Sequence, residues 1–417
     1  MRVKRALGAM LVASAPAAMI LLVSFISATA GLQAKPQDQS NSNGNLRHAG
    51  EAIFRYDTFG DEQLWTDVLH MPDAIKTLSP EGALGAGLKV DVDALPSSVI
   101  DALRANAVDL KDPAITLALL QLNAVVGVKG TFSTSGELTR VGVTCALCHS
   151  SVDDSFAPGI GHRLDGWANR SLNVGAVVAL SPVLDQPTRD VFLSWGPGFY
   201  DPRHHYFDGT NIVPLNSPTI PVLIPSIFGL DGVGFETYTA DGPISYWNSY
   251  VGVTQMGGHG SFSDPRIGVA VTQDPDLVTP KLAALFEYQL SLKAPKPPKG
   301  SFDRKAARRG EALFEGRAQC ATCHSGSTLT DVRSGPTPGV PLLHSASEVG
   351  VDPAYAERTA TGNYRTTPLR GLWQHPGYFH DGSAPDLPAV VNHYDRQFRL
   401  GLSDGEKADL VEYLKTL

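Results

Sequence analysis

The C-x-x-C-H pattern occurs twice in this 417-residue chain and constrains its fold more than any other feature. The two copies use all four cysteines of the sequence, and their residues are Cys145, Cys148, His149, Cys320, Cys323 and His324. Two thiols at this spacing can bond the two vinyl groups of one porphyrin, and the histidine that follows then ligates the iron. We therefore predict two covalently attached haem c groups, with His149 and His324 as proximal ligands.

Other uses of paired cysteines fit the pattern less well. A redox-active C-x-x-C pair does not need a histidine directly behind it, yet both copies have one. A zinc site built from two cysteines and two histidines would place its remaining ligands at finger-like spacing, whereas the two motifs here lie far apart in the sequence. The repetition therefore favours haem over a zinc site or a disulfide-exchange site.

Residues 1–34 have the composition of an export signal. Three basic residues within the first five precede a long apolar stretch, and the small residues Ala28 and Ala30 lie at its end. This pattern predicts a secretory signal peptide and a periplasmic protein. The stretch is long enough to serve as an inner-membrane anchor if it is not cleaved, and we predict membrane association only in that case.

The charge of the chain argues against one class of partner. The formal net charge is −8, and it becomes −11 once residues 1–34, with their three basic and no acidic side chains, are removed. An acidic exported chain without a basic stripe is poorly suited to a phosphate backbone, so we predict no nucleic-acid partner.

Composition divides the mature chain into two haem-binding parts. Residues 35–45 are polar and predict a flexible tether, and residues 293–302 are rich in proline and lysine and predict a linker. We therefore predict an N-terminal haem c domain over residues 46–292 and a C-terminal cytochrome c domain over residues 303–417.

A short repeat links the two predicted domains. The sequence GEAIF at residues 50–54 resembles GEALF at residues 310–314, but the second copy lies much closer to its haem motif than the first. In the C-terminal domain we expect Gly310 and Phe314 to cross a last helix near Tyr413. The predicted fold class is mostly α, with two cytochrome c-like haem domains, extensive loops and a large insertion in the N-terminal domain.

The residues behind each haem motif resemble the dihaem cytochrome c peroxidase superfamily, which includes the MauG-type enzymes. The longest match has the family pattern of T-P-x-L-R, then Y-F-H-D-G-S, then A-V, and shorter matches lie in the N-terminal half. The matching segments are residues 364–395, 216–232, 241–244 and 254–258. Residues 46–143 and 170–215 have no counterpart in that family that we can place.

The resemblance implies an exported dihaem oxidoreductase. In that family the N-terminal haem meets hydrogen peroxide (or dioxygen), and the C-terminal haem supplies electrons from a small donor protein of the cytochrome c or cupredoxin type. Two alternatives stay open: a pure electron-transfer dihaem cytochrome, and a MauG-like oxidase or oxygenase of a protein or organic substrate.

The resemblance also assigns candidate residues near the N-terminal haem. His162 matches a displaceable distal ligand, although it could instead bond a propionate or cap a loop. Gln255 stands where the family has an acid–base glutamate, and an amide cannot relay a proton. Trp247 is a candidate electron relay in place of a missing family tryptophan, or simply a core residue. The pair His204 and His205 could line a pocket, bind a metal or lie in a solvated loop.

At the C-terminal haem the family's methionine ligand is missing, because none of the five methionines lies in that domain. Tyr394 stands at its position, as in MauG-type enzymes, and the adjacent His393 is the alternative ligand. Arg370 is the candidate partner of a haem propionate.

The family also binds one calcium ion between its two haem domains. The positions of this chain that match its ligands are Asn216, by its side chain, and His375 and Gly377, by their carbonyl groups.

Overall fold

The computed structural model describes residues 36–105, 107–215, 218–335, 337–374 and 376–417, and their side chains from Gly44 onward. The expected export signal, residues 1–34, lies outside the described residues. Within these ranges no helix is both long and apolar enough to cross a membrane.

Helices predominate, as the mostly α class requires: the structure is 39% helical and 12% strand. The α-helices of the described residues are α1 Pro36–Tyr56, α2 Met71–Ile75, α3 Pro80–Gly85, α4 Ser97–Arg104, α5 Pro113–Gln121, α6 Ala146–His149, α7 Val174–Ala179, α8 Gln186–Leu193, α9 Ile244–Tyr250, α10 Leu282–Ser291, α11 Arg304–Glu315, α12 Ala346–Val349, α13 Leu387–Gln397 and α14 Asp404–Leu414.

Strands are short and form no extended sheet. They are β1 Val90–Asp91, β2 Val128–Phe132, β3 Leu138–Val143, β4 Ser150–Val152, β5 Ile160–Gly161, β6 Arg163–Asp165, β7 Phe199–Tyr200, β8 His205–Phe207, β9 Ile212–Pro214, β10 Val222–Leu223, β11 Phe262–Asp264 and β12 Val269–Val271. They pair two by two, with β1 and β5 parallel and the other pairs antiparallel: β2 with β3, β4 with β6, β7 with β10, β8 with β9, and β11 with β12.

Helix α1 begins at Pro36, so most of the 35–45 segment is helical in the structure, in contrast to the flexible tether that its polar composition predicted. A polar sequence can continue a helix whose other end is held by packing, because extending a helix is far easier than starting one. The packed end of α1 contains Phe54, which is fully buried.

Helices α11 and α14 cross at a glycine, as expected. Asp303 caps α11 and Ser403 caps α14 through side-chain acceptors for backbone N–H groups, which fixes where both helices begin. At the crossing a Cβ on Gly310 would overlap the carbonyl oxygen of Asp409. The rings of Phe314 and Tyr413 lie 5.2 Å apart beside it, so the predicted contact is confirmed.

Helices α1 and α10 cross in the same way. A Cβ on Gly50 would overlap the carbonyl oxygen of Ala284, and the rings of Phe54 and Tyr288 lie 5.4 Å apart. In both crossings the aromatic partner lies four residues after the residue whose carbonyl approaches the glycine. The sequence repeat GEAIF and GEALF thus corresponds to a repeated helix contact.

Each haem motif borders its own apolar cluster. Cys145 and Cys148 pack against a cluster whose buried residues lie between Phe54 and Tyr288. Cys320 packs against a second cluster, formed by residues 314–414. The segment 293–302 between α10 and α11 contains no helix or strand, yet it is held in place, since the Trp373 indole N–H donates to the Pro295 carbonyl at 3.3 Å. Residues Ser42–Leu417 form one compact unit.

Candidate haem sites

The N-terminal motif lies on a single helical turn behind a strand. Helix α6 follows β3 directly, and the His149 N–H bonds the carbonyl of Cys145 at 3.2 Å. Gly127 allows the turn before β2 to pass close behind the motif, because its φ is +77° and a Cβ there would overlap the backbone of Leu147. Burial raises the pKa of both thiols to about 12.

The four cysteines of the two motifs are free, so neither C-x-x-C pair is a disulfide. All four are half-buried. Free thiols directly before a histidine are what covalent haem attachment requires.

The His149 ring forms the hydrogen bond that is typical of a metal-bound histidine, from one ring nitrogen to a backbone carbonyl. Its Nδ1 lies 3.0 Å from the carbonyl oxygen of Pro225, which can only accept, so Nδ1 carries the proton and Nε2 has a free lone pair. Burial lowers the pKa of His149 to about 4, which keeps the ring neutral as ligation requires.

His324 repeats this arrangement in the C-terminal half. Its motif begins in a 3₁₀ turn, Cys320–Thr322, and the His324 N–H bonds the Cys320 carbonyl at 2.9 Å. Its Nδ1 lies 3.1 Å from the carbonyl of Leu329, and burial lowers the pKa of the ring. Both predicted proximal histidines are therefore half-buried and oriented through Nδ1, and burial lowers the pKa of both rings.

Arg170 provides a test of whether the N-terminal site fits a haem. The backbone N–H of Asn169, the residue before it, bonds the Cys148 carbonyl at 2.9 Å, so Arg170 lies beside the motif. Two of its guanidinium nitrogens, Nε and Nη1, are buried and have no hydrogen-bond partner among the described residues. A buried guanidinium requires an anionic partner, and a haem carries two propionates. The guanidinium bonds the side chain of Tyr238, and its two remaining buried nitrogens are available to an anion. The free thiols, the oriented imidazole and this cation all fit a haem.

His162 lies at the surface of the structure. Its side chain is 59% exposed, and its Nδ1 lies 2.9 Å from a carboxylate oxygen of Asp93. The hydrogen bond and charge of Asp93 raise the pKa of His162. The glycine before it serves the loop, because a Cβ on Gly161 would overlap the side chain of Asp153. His162 therefore forms a surface contact with Asp93, and its role as a distal ligand stays a prediction.

Gln255 lies in a buried polar cluster at the end of the π-helical turn Val251–Gln255, which follows α9. Its amide oxygen accepts from the hydroxyl of Tyr200, and its amide nitrogen donates to the backbone carbonyl of His205 at 2.9 Å. Burial raises the pKa of Tyr200 well above its usual value, and Tyr250 and Cys148 raise it further. Tyr200 and Cys148 pack against the same apolar cluster.

His205 is the residue that sequence reasoning underrated. Its ring stacks on Trp195 at 6.1 Å, and burial lowers its pKa to about 3, with a further contribution from His204. Its Nδ1 is buried and has no hydrogen-bond partner in the described part of the chain. His205 and Gln255 line a cavity of about 20 Å³, which is room for one water-sized molecule. The adjacent histidines were the only signal in the sequence.

Trp247 lies in an aromatic cluster on α9. Its ring is 5.7 Å from Tyr246 and 5.8 Å from Tyr250, and the guanidinium of Arg203 lies 5.4 Å from its centroid. Its indole N–H is buried without a hydrogen-bond partner among the described residues. The position suits a core residue, and the relay role stays a prediction.

Tyr394 lies near both cysteines of the C-terminal motif. Burial raises the pKa of its phenol to about 12, and Cys323 and Cys320 contribute electrostatically. His393 is directed elsewhere, since its Nε2 lies 2.8 Å from the carbonyl of Val349. These contacts favour Tyr394 over His393 as the candidate sixth ligand.

Arg370 also lies beside the C-terminal motif. Its Nη2 donates to the carbonyl of Ser327 at 3.0 Å, three residues after His324. Its side chain passes Gly229, whose φ is +66°, so Arg370 reaches across to the N-terminal half. Its predicted role as a propionate partner stays a prediction.

The calcium prediction falls mainly outside the described residues. Asn216 and His375 are not among them, and only Gly377 is, with a half-buried backbone at φ +91°. A different group, Cys323, Asp331 and His344, has its ligand atoms within 4.8 Å of one another. We assign no metal there, because His344 bonds Asp331 at 3.2 Å and Glu348 at 2.8 Å, and haem attachment would consume the thiol.

Residues of the two halves meet in buried polar contacts. Asp201 is fully buried and forms an ion pair with Arg358 at 3.1 Å. His380, in the Y-F-H-D-G match, bonds the Tyr364 hydroxyl at 3.1 Å, and burial lowers its pKa. Its ring stacks on Tyr355 at 5.9 Å. His380 thus lies among the rings of Tyr238, Tyr355 and Tyr364.

Known proteins resemble part of this chain. The methylamine utilization protein MauG of Methylorubrum extorquens is 33% identical over 166 residues, which is 32% of this chain and 43% of that protein. The cytochrome-c peroxidase IdrP2 of Pseudomonas sp. strain SCT is 29% identical over 173 residues, 32% of this chain and 47% of that protein. Hydrazine synthase subunit gamma of Kuenenia stuttgartiensis is 30% identical over 172 residues, 33% of this chain and 49% of that protein.

One solved structure, of a MauG-like protein associated with microbial copper homeostasis, aligns with a TM-score of 0.34 at 19% identity, covering 53% of this chain and 85% of that one. No family model matches the sequence. The chain spans less than half the length of the curated relatives it matches. Over the matched residues the chain is similar to MauG and to cytochrome-c peroxidases, as the resemblance of its motifs to the dihaem cytochrome c peroxidase and MauG superfamily implied.

Proposed function

We propose that this chain is an exported, periplasmic oxidoreductase that binds one haem c at each C-x-x-C-H motif. The observation that carries this proposal is the repeated geometry of the proximal histidines. His149 and His324 each direct Nδ1 at a backbone carbonyl, that of Pro225 for His149 and that of Leu329 for His324. A histidine that served only packing would not need this orientation twice, each time directly behind a pair of free thiols.

Two cytochrome c-like units provide the scaffold in this proposal. The α1–α10 and α11–α14 crossings share a glycine against a carbonyl and a phenylalanine against a tyrosine. Residues 57–143 between α1 and the first motif would then be an insertion. The electron donor would be a small protein of the cytochrome c or cupredoxin type, and membrane attachment would depend on residues 1–34 remaining uncleaved.

The N-terminal haem is the proposed site of reaction with hydrogen peroxide or dioxygen. When bound, haem iron supplies the redox chemistry that no side chain can supply. Gln255 is held by Tyr200 and by the carbonyl of His205, so its amide is fixed in one orientation. Gln255 can orient an oxidant by hydrogen bonding, and His205, whose ring is kept neutral by burial, lines the same cavity.

The C-terminal haem is the proposed entry point for electrons, with Tyr394 as its sixth ligand. A phenolate is a hard, anionic ligand and stabilises ferric iron, so it would lower the potential of this haem. Arg370 would pair with a propionate, and Trp247 would connect the two sites as an electron relay. Calcium binding at Asn216, His375 and Gly377 completes the arrangement that the family implies.

A MauG-like oxidation of a protein or organic substrate is the second candidate. Gln255 favours it, because an amide cannot pass the proton that a peroxidase glutamate passes. Tyr394 favours it as well, because a low-potential haem can share an oxidising equivalent more readily than a methionine-ligated one. A pure electron carrier would need both haems to be six-coordinate.

The test is the reaction of purified holoprotein with peroxide. Mass spectrometry of the intact chain should first show two covalent haems. We expect a high-spin ferric signal in addition to a low-spin one, and rapid spectral change when the half-reduced protein meets peroxide. Gln255→Ala should slow that change by about 100-fold, the usual contribution of one positioned catalytic group, whereas the exposed His162→Ala should leave it unaltered. Two low-spin haems that do not react would instead support the electron carrier.

The substrate separates the two enzymatic candidates. With a reduced small cytochrome c as donor, sustained peroxide turnover supports a peroxidase. Stoichiometric peroxide consumption without donor oxidation, together with an added oxygen atom on an organic or protein substrate, supports the MauG-like activity.

A further inference from the structure

A cavity of about 60 Å³ lies among helices α2, α3, α4 and α5, in the part of the chain before the first haem motif. Strands β1, β2 and β5 complete its wall. This region has no assigned role, and the cavity contains none of the residues discussed above.

The wall of this cavity is apolar throughout. All but two of the lining residues are aliphatic or proline, and the exceptions are Lys89 and Thr116. Neither places a polar atom on the cavity surface. The Thr116 hydroxyl oxygen is buried without a hydrogen-bond partner among the described residues. A water molecule needs two to four polar partners to occupy a buried site, so the cavity should be dry.

Helix α4 forms a weakly held cover. None of its eight residues is buried, although Val99 and Leu103 face the cavity. Val99, Ile100 and Leu103 are only partly buried against the small cluster that includes Val90 and Ile160. The polar contacts of α4 lie at the surface: Arg104 pairs with Asp101 at 3.5 Å and lies over the ring of Phe156 at 5.6 Å. Segments with few buried contacts open at low free-energy cost, which provides an entry path.

The cavity shares its wall with the core of the N-terminal haem site. Val128 lines the cavity and pairs with Val143, two residues before Cys145. Leu120 and Val125 also line it, and all of these valines and leucines belong to the cluster against which Cys145 packs. The cavity and the motif therefore border the same apolar cluster.

We propose that this cavity binds a small apolar molecule of the size of dioxygen or xenon. A dry apolar cavity of about 150 Å³ binds benzene or xenon, and the present one is less than half that volume. Its wall offers dispersion contacts and no hydrogen bond, so charged and hydrogen-bonding ligands are excluded. The proposal concerns binding alone and does not depend on which reaction the haems perform.

Crystals of the holoprotein pressurised with xenon test the proposal. We expect an anomalous xenon peak between Val99 and Leu120. Val99→Phe should remove the peak by filling the space, whereas Ser98→Phe, on the exposed side of the same helix, should retain it. Leu103→Ala enlarges the cavity and should admit benzene, which the unmodified protein should not. Equilibration with dioxygen at pressure should quench the xenon occupancy by competition.

Ordered water in the cavity of the unmodified crystals, or the absence of xenon from it, would overturn the proposal. Retention of the peak in Val99→Phe would do the same. If Val99→Phe does not fold, the comparison of the unmodified protein with Leu103→Ala still decides the question. Peroxide reactivity is measured separately, so a failure here leaves the proposed function intact.

Discussion

At the scale of single residues, Arg170 gives the clearest test of whether a haem is bound. A guanidinium buried with two unpaired nitrogens destabilises a fold unless an anion is present. If a haem propionate pairs with Arg170, removing the guanidinium should destabilise the fold, because breaking a buried ion pair is costly. If no anion is present, its removal should leave stability unchanged or increase it.

We expect Arg170→Met to destabilise the holoprotein by about 3 kcal/mol, because a buried propionate would lose its partner. Arg104→Met, at an exposed guanidinium, should change stability by less than about 0.5 kcal/mol. Urea unfolding of the holoprotein followed by circular dichroism gives both values. A neutral or stabilising Arg170→Met would show that no anion pairs with Arg170.

Tyr394 and His393 can be distinguished by a second pair of substitutions. Tyr394→Phe should change the electron paramagnetic resonance spectrum of the C-terminal haem and raise its potential by about 60 mV or more, which is a tenfold change for a one-electron couple. His393→Gln should leave both unchanged, because His393 bonds the Val349 carbonyl. The reverse pattern would assign the ligand to His393.

At the scale of elements, the two helix crossings give the next prediction. Gly310→Ala and Gly50→Ala should each destabilise the fold by about 1–3 kcal/mol, because the added Cβ overlaps a carbonyl oxygen of the partner helix. Gly405→Ala on α14 is the matched control: nothing lies within 4 Å of a Cβ there, and alanine should stabilise by up to about 1 kcal/mol. Thermal unfolding monitors all three. Equal effects at positions 310 and 405 would show that the crossing is not close.

The beginning of α14 predicts a pH dependence. Glu406 bonds the Ser403 N–H and hydroxyl and pairs with Arg317, which lowers its pKa from 4.5 to about 2. A carboxylate whose pKa is lower in the folded state stabilises the fold above pH 4.5 and loses this contribution as the pH falls towards 2. Glu406→Gln should therefore be less stable than the unmodified protein at pH 6, and the gap should close by pH 2. Glu311→Gln, at an exposed residue of α11, should show no such convergence.

The sequence predicted elements and motifs better than it predicted which way side chains face. Gly310, Phe314 and Tyr413 could be placed because helix period and a repeated pentapeptide specify a crossing. His162 could not, because it stands between the two-residue strand β5 and β6, where one step of backbone alternation turns a side chain from core to solvent. The direction of His205, at the start of the short strand β8, could not be predicted either. Its ring packs against Trp195 and Phe192, which are not adjacent to it in the sequence.

At the scale of the whole molecule, contacts between the two halves escaped prediction altogether. Asp201 lies in the region without a family counterpart, and its partner Arg358 lies in the C-terminal half. Nothing local in the sequence indicates a pair separated by 157 residues. Such contacts follow from how the two apolar clusters pack, which a single sequence does not reveal.

The Asp201–Arg358 pair should join the two halves energetically. Asp201 accepts two guanidinium bonds, at 3.1 and 3.3 Å, and is fully buried, so neither partner can be rehydrated when the other is removed. A double-mutant cycle with Asp201→Asn and Arg358→Gln should give a coupling of about 3 kcal/mol. The exposed bidentate pair Asp67–Arg140 provides the control, with an expected coupling below about 1 kcal/mol.

Because this pair lies between the halves, its loss should also change cooperativity. We expect holoprotein unfolding, followed separately at the two haem absorption bands, to be coincident in the unmodified chain and to separate in Arg358→Gln. If the two unfolding transitions remain coincident in Arg358→Gln, and the coupling free energy equals that of Asp67–Arg140, the halves are joined by apolar packing alone. The buried ion pair would then contribute no net stability, an outcome often found when such pairs are replaced as a unit.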